Sequence, residues 1–120
     1  GGKSFGGRMT STAAAQTPLP GVHGIVFLGF PLHPPGKPGD ARAAHLADVT
    51  VPMLFLQGTR DDFARLEFLQ PVCERLGIRA TLQLVEGADH SFKVRGRQAG
   101  DVLEDLARAI AAWARTEAAA

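Results

Sequence analysis

Three short apolar runs, within 23–30, 51–57 and 80–86, constrain this chain more than any other feature. The first two are continuous at their centres, Ile25-Val26-Phe27-Leu28 and Met53-Leu54-Phe55-Leu56, with no polar residue at every second place. An alternating strand can leave one face in water, whereas an unbroken apolar strand asks for cover on both faces. The segments between the runs read as helices or loops. Ser4 to Gln16 has no proline and many alanines, and Thr17-Pro18-Leu19-Pro20-Gly21 ends it. Pro31 to Pro38 carries four prolines and a glycine, which predicts a surface loop, with a short helix over Ala41 to Ala47 behind it. Phe68, Leu69, Val72, Cys73 and Leu76 make one helical face closed by Gly77, with Pro71 expected in the first turn. A last helix is predicted from Gly100 to Glu117, with Leu103, Leu106, Ile110 and Trp113 on its apolar stripe and Glu104 paired to Arg108 on its flank.

Strands that alternate with helices in this way run parallel and are joined by crossovers, so the fold class is α/β. Three strands are few for a sheet buried on both faces, and no strand is predicted to lead into Ser4. Residues 1–120 are therefore expected to be part of a larger α/β domain, with its early strands in roughly one hundred residues upstream. Alone, the chain is expected to be poorly stable, because an unpaired parallel edge invites aggregation.

Composition removes several function classes. Thirteen basic and 12 acidic residues leave a net charge of +1, with no electrostatic footprint for nucleic acid or an anionic membrane surface. Cys73 is the single cysteine and cannot form an internal disulfide, and the apolar runs are too short to span a bilayer. A reduced, cytoplasmic setting is the expectation, although a chain opening on Gly1 would have had any leader upstream.

The chemistry lies at the ends of the predicted strands. Gly58-Thr59-Arg60-Asp61 follows the second run and Gly87-Ala88-Asp89-His90 the third, and parallel strands deliver both ends to one edge of the sheet. At the start of the chain stands Gly2-Lys3-Ser4-Phe5-Gly6, a G-x-S-x-G pattern at the mouth of a predicted helix, which is a way of presenting a serine nucleophile on a tight turn. Serine needs a base, and His90 is the candidate; the imidazole needs a fixed carboxylate, and Asp61 is the candidate. The backbone N–H of Phe5 is the candidate oxyanion donor, and Gly6 and Gly7 let the following backbone pass close by. The second oxyanion donor is expected from an early loop outside these residues.

Alternatives are weaker. Asp62 would point away from Asp61, toward solvent or a helix cap, and Asp89 suits an Asx-turn. His23, His33 and His45 have no metal-ligand spacing with one another or with Cys73, whose place on an apolar stripe suggests core packing. Neither metal nor cofactor is called for. Gly2-Lys3-Ser4 also ends a phosphate-binding G-x-x-x-x-G-K-S loop, but a nucleotide site does not require the later Asp and His termini.

Taken together, G-G-K-S-F-G-G-R-M, F-P-L-H-P-P-G-K-P, L-Q-G-T-R-D-D-F and G-A-D-H-S-F resemble predicted bacterial α/β-hydrolases close to the dienelactone hydrolases. Eukaryotic relatives of that group include a testis-expressed protein and a subunit of a nonspecific-lethal histone acetyltransferase complex. The resemblance covers nearly the whole chain and implies the C-terminal half of an α/β-hydrolase fold, with Ser4 as nucleophile, His90 as base and Asp61 as acid. It implies a serine hydrolase of the esterase or dienelactone-hydrolase kind acting on a small acyl substrate. It also leaves room for a non-catalytic scaffold with a protein partner.

Overall fold

The computed structural model describes residues 1–119. Four parallel strands stand in the order β1-β2-β3-β4, with β1 at Gly2–Lys3, β2 at Ile25–Leu28, β3 at Met53–Gly58 and β4 at Ala80–Val85. Helices α1 (Phe5–Gln16), α2 (Leu66–Leu76) and α3 (Ala99–Ala119) alternate with them, and a 3₁₀ segment over Ala41–Asp48 occupies the place of the predicted short helix. The three predicted strands are present. A fourth, the two-residue β1, does lead into Ser4, contrary to the expectation of none; it pairs Gly2 with Phe27 and Lys3 with Leu28. Its brevity and its glycine hide it from any pattern of apolar residues.

The side-chain alternation of a strand divides the core in two. Ile25, Phe27, Met53 and Phe55 face α1, the 3₁₀ segment and α2, where Leu46, Leu69, Val72 and Leu76 close the layer. Leu54 and Leu56 face the other way, onto Val102 and Leu106 of α3. Every residue of β3 is buried, which is why its run is continuously apolar, whereas Val26 and Leu28 on the α3 side of β2 are only half-buried. The ring of Phe27 packs against Phe55 at 4.6 Å and edge-on to Phe30 at 5.2 Å, an arrangement favoured by the ring quadrupoles.

Three local predictions need correction. Leu103 is 62% exposed, and the buried stripe of α3 runs instead through Val102, Leu106, Ala109, Ile110 and Trp113. The spacing 102-106-109-113 satisfies a helical face as well as 103-106-110-113, and only the position of the sheet selects between them. Pro71 is the sixth residue of α2, not in its first turn. The helix starts at Leu66 because the Arg65 carbonyl already accepts the N–H groups of Phe68 and Leu69. Finally, Pro31, Leu32 and His33 are buried, so only the later part of the proline loop lies on the surface.

Candidate active site

The turn between β1 and α1 is tight. The Ser4 N–H donates to the Leu28 carbonyl at 3.0 Å as the last rung beside β2, and α1 begins at the next residue. Reversing the chain in one step puts Ser4 at φ 52°, ψ −122°, a region costing a side-chain-bearing residue on the order of 1–3 kcal/mol. The glycines show what the turn requires. A Cβ on Gly2 would meet the Gly7 nitrogen at 2.5 Å, and one on Gly7 would meet the Gly2 carbonyl oxygen at 2.7 Å and the Phe27 ring at 3.1 Å. Gly6, which the G-x-S-x-G pattern emphasises, has open space where its Cβ would be. The close backbone contact therefore pairs Gly2 with Gly7, and the expectation that Gly6 fills that role is corrected.

This geometry leaves the Ser4 side chain at the C-terminal edge of the sheet. Its hydroxyl donates to His90 Nε2 across 2.7 Å, and His90 Nδ1–H donates to Asp61 Oδ2 across another 2.7 Å. A carboxylate acceptor at Nδ1 fixes the tautomer that leaves Nε2 free to accept. The Asp61 side chain is only 1% exposed and His90 18%. Buried charge is tolerable when it is well bonded, and Asp61 has three donors: His90 Nδ1–H, Gln57 Nε2–H at 2.7 Å and the Phe63 N–H at 2.7 Å. The Phe63 ring stacks on the His90 imidazole, centroids 4.3 Å apart. Below the pair, Gly29 has φ +73°, and a Cβ there would lie 3.3 Å from His90 Nδ1 and 3.5 Å from Asp61 Oδ2. The three strand ends and the elbow thus converge on one hydrogen-bonded row.

Residues 1–117 match the family model described as alpha/beta hydrolase domain. The chain belongs to the alpha/beta-hydrolase family. Its fold is also similar to the solved structure of an alpha-beta serine hydrolase homologue from Coxiella burnetii, with a TM-score of 0.58 and 20% identity over 74% of this chain. The chain spans 38% of the length of that protein.

Elsewhere in this alpha/beta-hydrolase chain the other candidates sort by their partners. Phe5 is the first residue of α1, where helix geometry leaves an N–H without an intrahelical acceptor. Its side chain is 60% exposed, and the Arg8 guanidinium lies over the ring at 5.4 Å. Asp62 is exposed and Asp89 closes a turn, its Oδ1 accepting the N–H groups of Ser91 and Lys93. Phe92, in that same turn, has φ 60° and a buried ring, so core packing holds the His90 loop in a conformation costly for a bulky residue. Lys3 is paired with Leu28 in β1 rather than standing in a loop.

Two of the remaining histidines tie segments of the chain together. His33 is buried; its Nδ1–H donates to the Pro34 carbonyl, and its Nε2 accepts the Arg65 N–H at 3.0 Å, tying the proline loop to the start of α2. His45 Nε2 and the buried Ser11 hydroxyl share a hydrogen bond of 2.7 Å, joining α1 to the 3₁₀ segment. Burial, more than nearby Arg8, pushes this imidazole below the ordinary histidine range, against smaller opposing effects of the Arg42 carbonyl and Asp48. His23 lines a 690 Å³ cleft with Pro52 and Trp113, a cleft that neither Ser4 nor His90 lines. Among the described residues, no three His, Cys, Asp or Glu side chains are grouped to hold a metal ion, and no helix is long and apolar enough to cross a membrane.

Sequence reasoning did not assign Gln57 or Phe63 to this site. Gln57 carried a signal, as the one polar side chain in the run Met53–Gly58. Phe63 carried none.

Proposed function

We propose that this chain carries the chemistry of a serine hydrolase acting on an ester-like or other small acyl substrate, with Ser4 as nucleophile, His90 as base and Asp61 as acid. The observation that supports it is the continuous relay from the Ser4 hydroxyl through His90 to Asp61, with Ser4 on a strained turn. Ser4 Oγ attacks the acyl carbon as its proton passes to His90 Nε2, forming a tetrahedral adduct. The Phe5 N–H faces the developing oxyanion, and Asp61 stabilises the imidazolium. His90 then gives the proton from Nε2 to the leaving oxygen, the carbonyl re-forms and an acyl-Ser4 ester remains. Water attacks that ester as His90 takes its proton, and the second tetrahedral adduct collapses with His90 Nε2 returning that proton to the departing Ser4 Oγ, which releases the acid and restores the hydroxyl. The buried Asp61, the stacked Phe63 and the glycine floor hold the imidazole in place, so little reorganisation is required at the moment of transfer.

A fluorophosphonate probe tests this directly, because it phosphonylates an activated serine whatever the natural acyl group. The purified protein should label at one site, Ser4→Ala should not label, and His90→Ala should slow labelling by on the order of 10⁴ or more. Equal labelling of wild type and Ser4→Ala would overturn the proposal.

A further inference from the structure

Gln57 is fully buried at the end of β3, in a strand otherwise built from Met53, Leu54, Phe55, Leu56 and Gly58. An amide in such a place is costly unless its polar ends are bonded. Both are. Oε1 accepts the Phe30 N–H at 3.2 Å, and Nε2 donates to Asp61 Oδ2 at 2.7 Å. A side chain present only to satisfy the Phe30 N–H would not need its other end on the carboxylate. A side chain present only to fill space would be better apolar.

The oxygen it meets is the one that serves His90: Oδ2 receives both Gln57 Nε2–H and His90 Nδ1–H, while Oδ1 receives the Phe63 N–H. Three donors from separate segments fix the plane of a carboxyl group that would otherwise turn about its terminal bond. The far end of Gln57 grips Phe30, next to Gly29, the residue against which the His90 and Asp61 side chains rest. One amide therefore links the floor beneath the imidazole to the carboxylate beside it.

We propose that Gln57 is a positioning residue for the Ser4–His90–Asp61 relay, holding the Asp61 oxygen that carries His90. The inference rests on the hydrolase reading for its consequence in rate, but its geometric content stands apart from it. Gln57→Met keeps the length and removes both hydrogen bonds. Gln57→Glu keeps the Phe30 bond and can still donate to Oδ2 while its own carboxyl is protonated, but sets oxygen against oxygen once that proton leaves.

The test follows fluorophosphonate labelling from pH 5 to 9, together with the downfield proton resonance of His90 Nδ1–H, in wild type and both variants. Gln57→Met should label about tenfold or more slowly at every pH, with the resonance displaced or lost, since small misplacements of a catalytic group are costly in rate. Gln57→Glu should approach the wild-type rate at low pH and fall away as pH rises, opposite to the wild-type trend. A merely structural Gln57 would lower the melting temperature of Gln57→Met but leave the shape of the Gln57→Glu profile parallel to wild type. That parallel profile, or an unchanged resonance in Gln57→Met, would overturn the proposal. Should wild type fail to label, the hydrolase reading falls while the resonance still decides whether Gln57 holds the pair.

Discussion

Replacing Gly29 by alanine separates two effects of one methyl group. The backbone there has φ +73°, where an L-residue costs about 1–2 kcal/mol, so the protein should lose about that much stability. The methyl would also lie 3.3 Å from His90 Nδ1, 3.4 Å from its Cε1 and 3.5 Å from Asp61 Oδ2. Contacts this short require the imidazole to move by a few tenths of an ångström, away from an acceptor now at 2.7 Å. A displacement of about 1 Å costs about 10²-fold in rate, so a shift of this smaller size should slow labelling of Ser4 about tenfold. Gly36→Ala is the control, because Gly36 has φ +76° and nothing within 4 Å of a Cβ. Both variants should lose about 4 °C in melting temperature, taking 1 kcal/mol for a domain of this size. Only Gly29→Ala should label slowly. Equal labelling rates for the two variants would refute the inference that the His90–Asp61 pair rests on this backbone.

Two further predictions concern groups away from the relay. His45 sits below its ordinary range because burial disfavours its charged form, so the unfolded chain binds the proton first as pH falls. Its contribution is intact above about pH 6.5, shrinks as pH drops below that value, and stops changing below the folded-state value. Urea midpoints should therefore fall between pH 7 and 5, and His45→Gln, which can still hydrogen-bond Ser11, should flatten that dependence; an equally steep fall in the variant would show that other groups carry it. Burial, with a smaller push from Glu74, raises the Cys73 thiol to about 11, so at pH 8 the folded protein should react with iodoacetamide on the order of 10²-fold more slowly than the unfolded chain. Comparable rates in the two states would show that α2 does not bury this sulfur.

β3 was legible because burial on both faces forces a continuous apolar run, Met53 to Leu56. That Asp61 and His90 would stand together was legible because each follows a strand, and parallel strands deliver their ends to one edge of the sheet, with Ser4 joined to them by its G-x-S-x-G turn. Where patterns were degenerate, the sequence was silent. The phase of α3 could begin at Val102 or Leu103, and only the position of β3 decided it, since Leu54 and Leu56 meet Val102 and Leu106. β1 has too few residues for a pattern, and it exists because Gly2 and Lys3 find hydrogen-bonding partners in β2. G-x-S-x-G marked Gly6, whereas the steric demand falls on Gly2 and Gly7, which are brought together by the turn.

Residue types and their order along the chain thus determined which groups could do chemistry and at which edge of the sheet they would stand. The support around them came only with the tertiary structure. Gln57 reaches Asp61 four residues on and Phe30 twenty-seven residues back, while Phe63 stacks on His90 from another loop. Such contacts depend on side-chain direction and strand register, set by packing the whole sheet at once, and no local stretch of sequence records them.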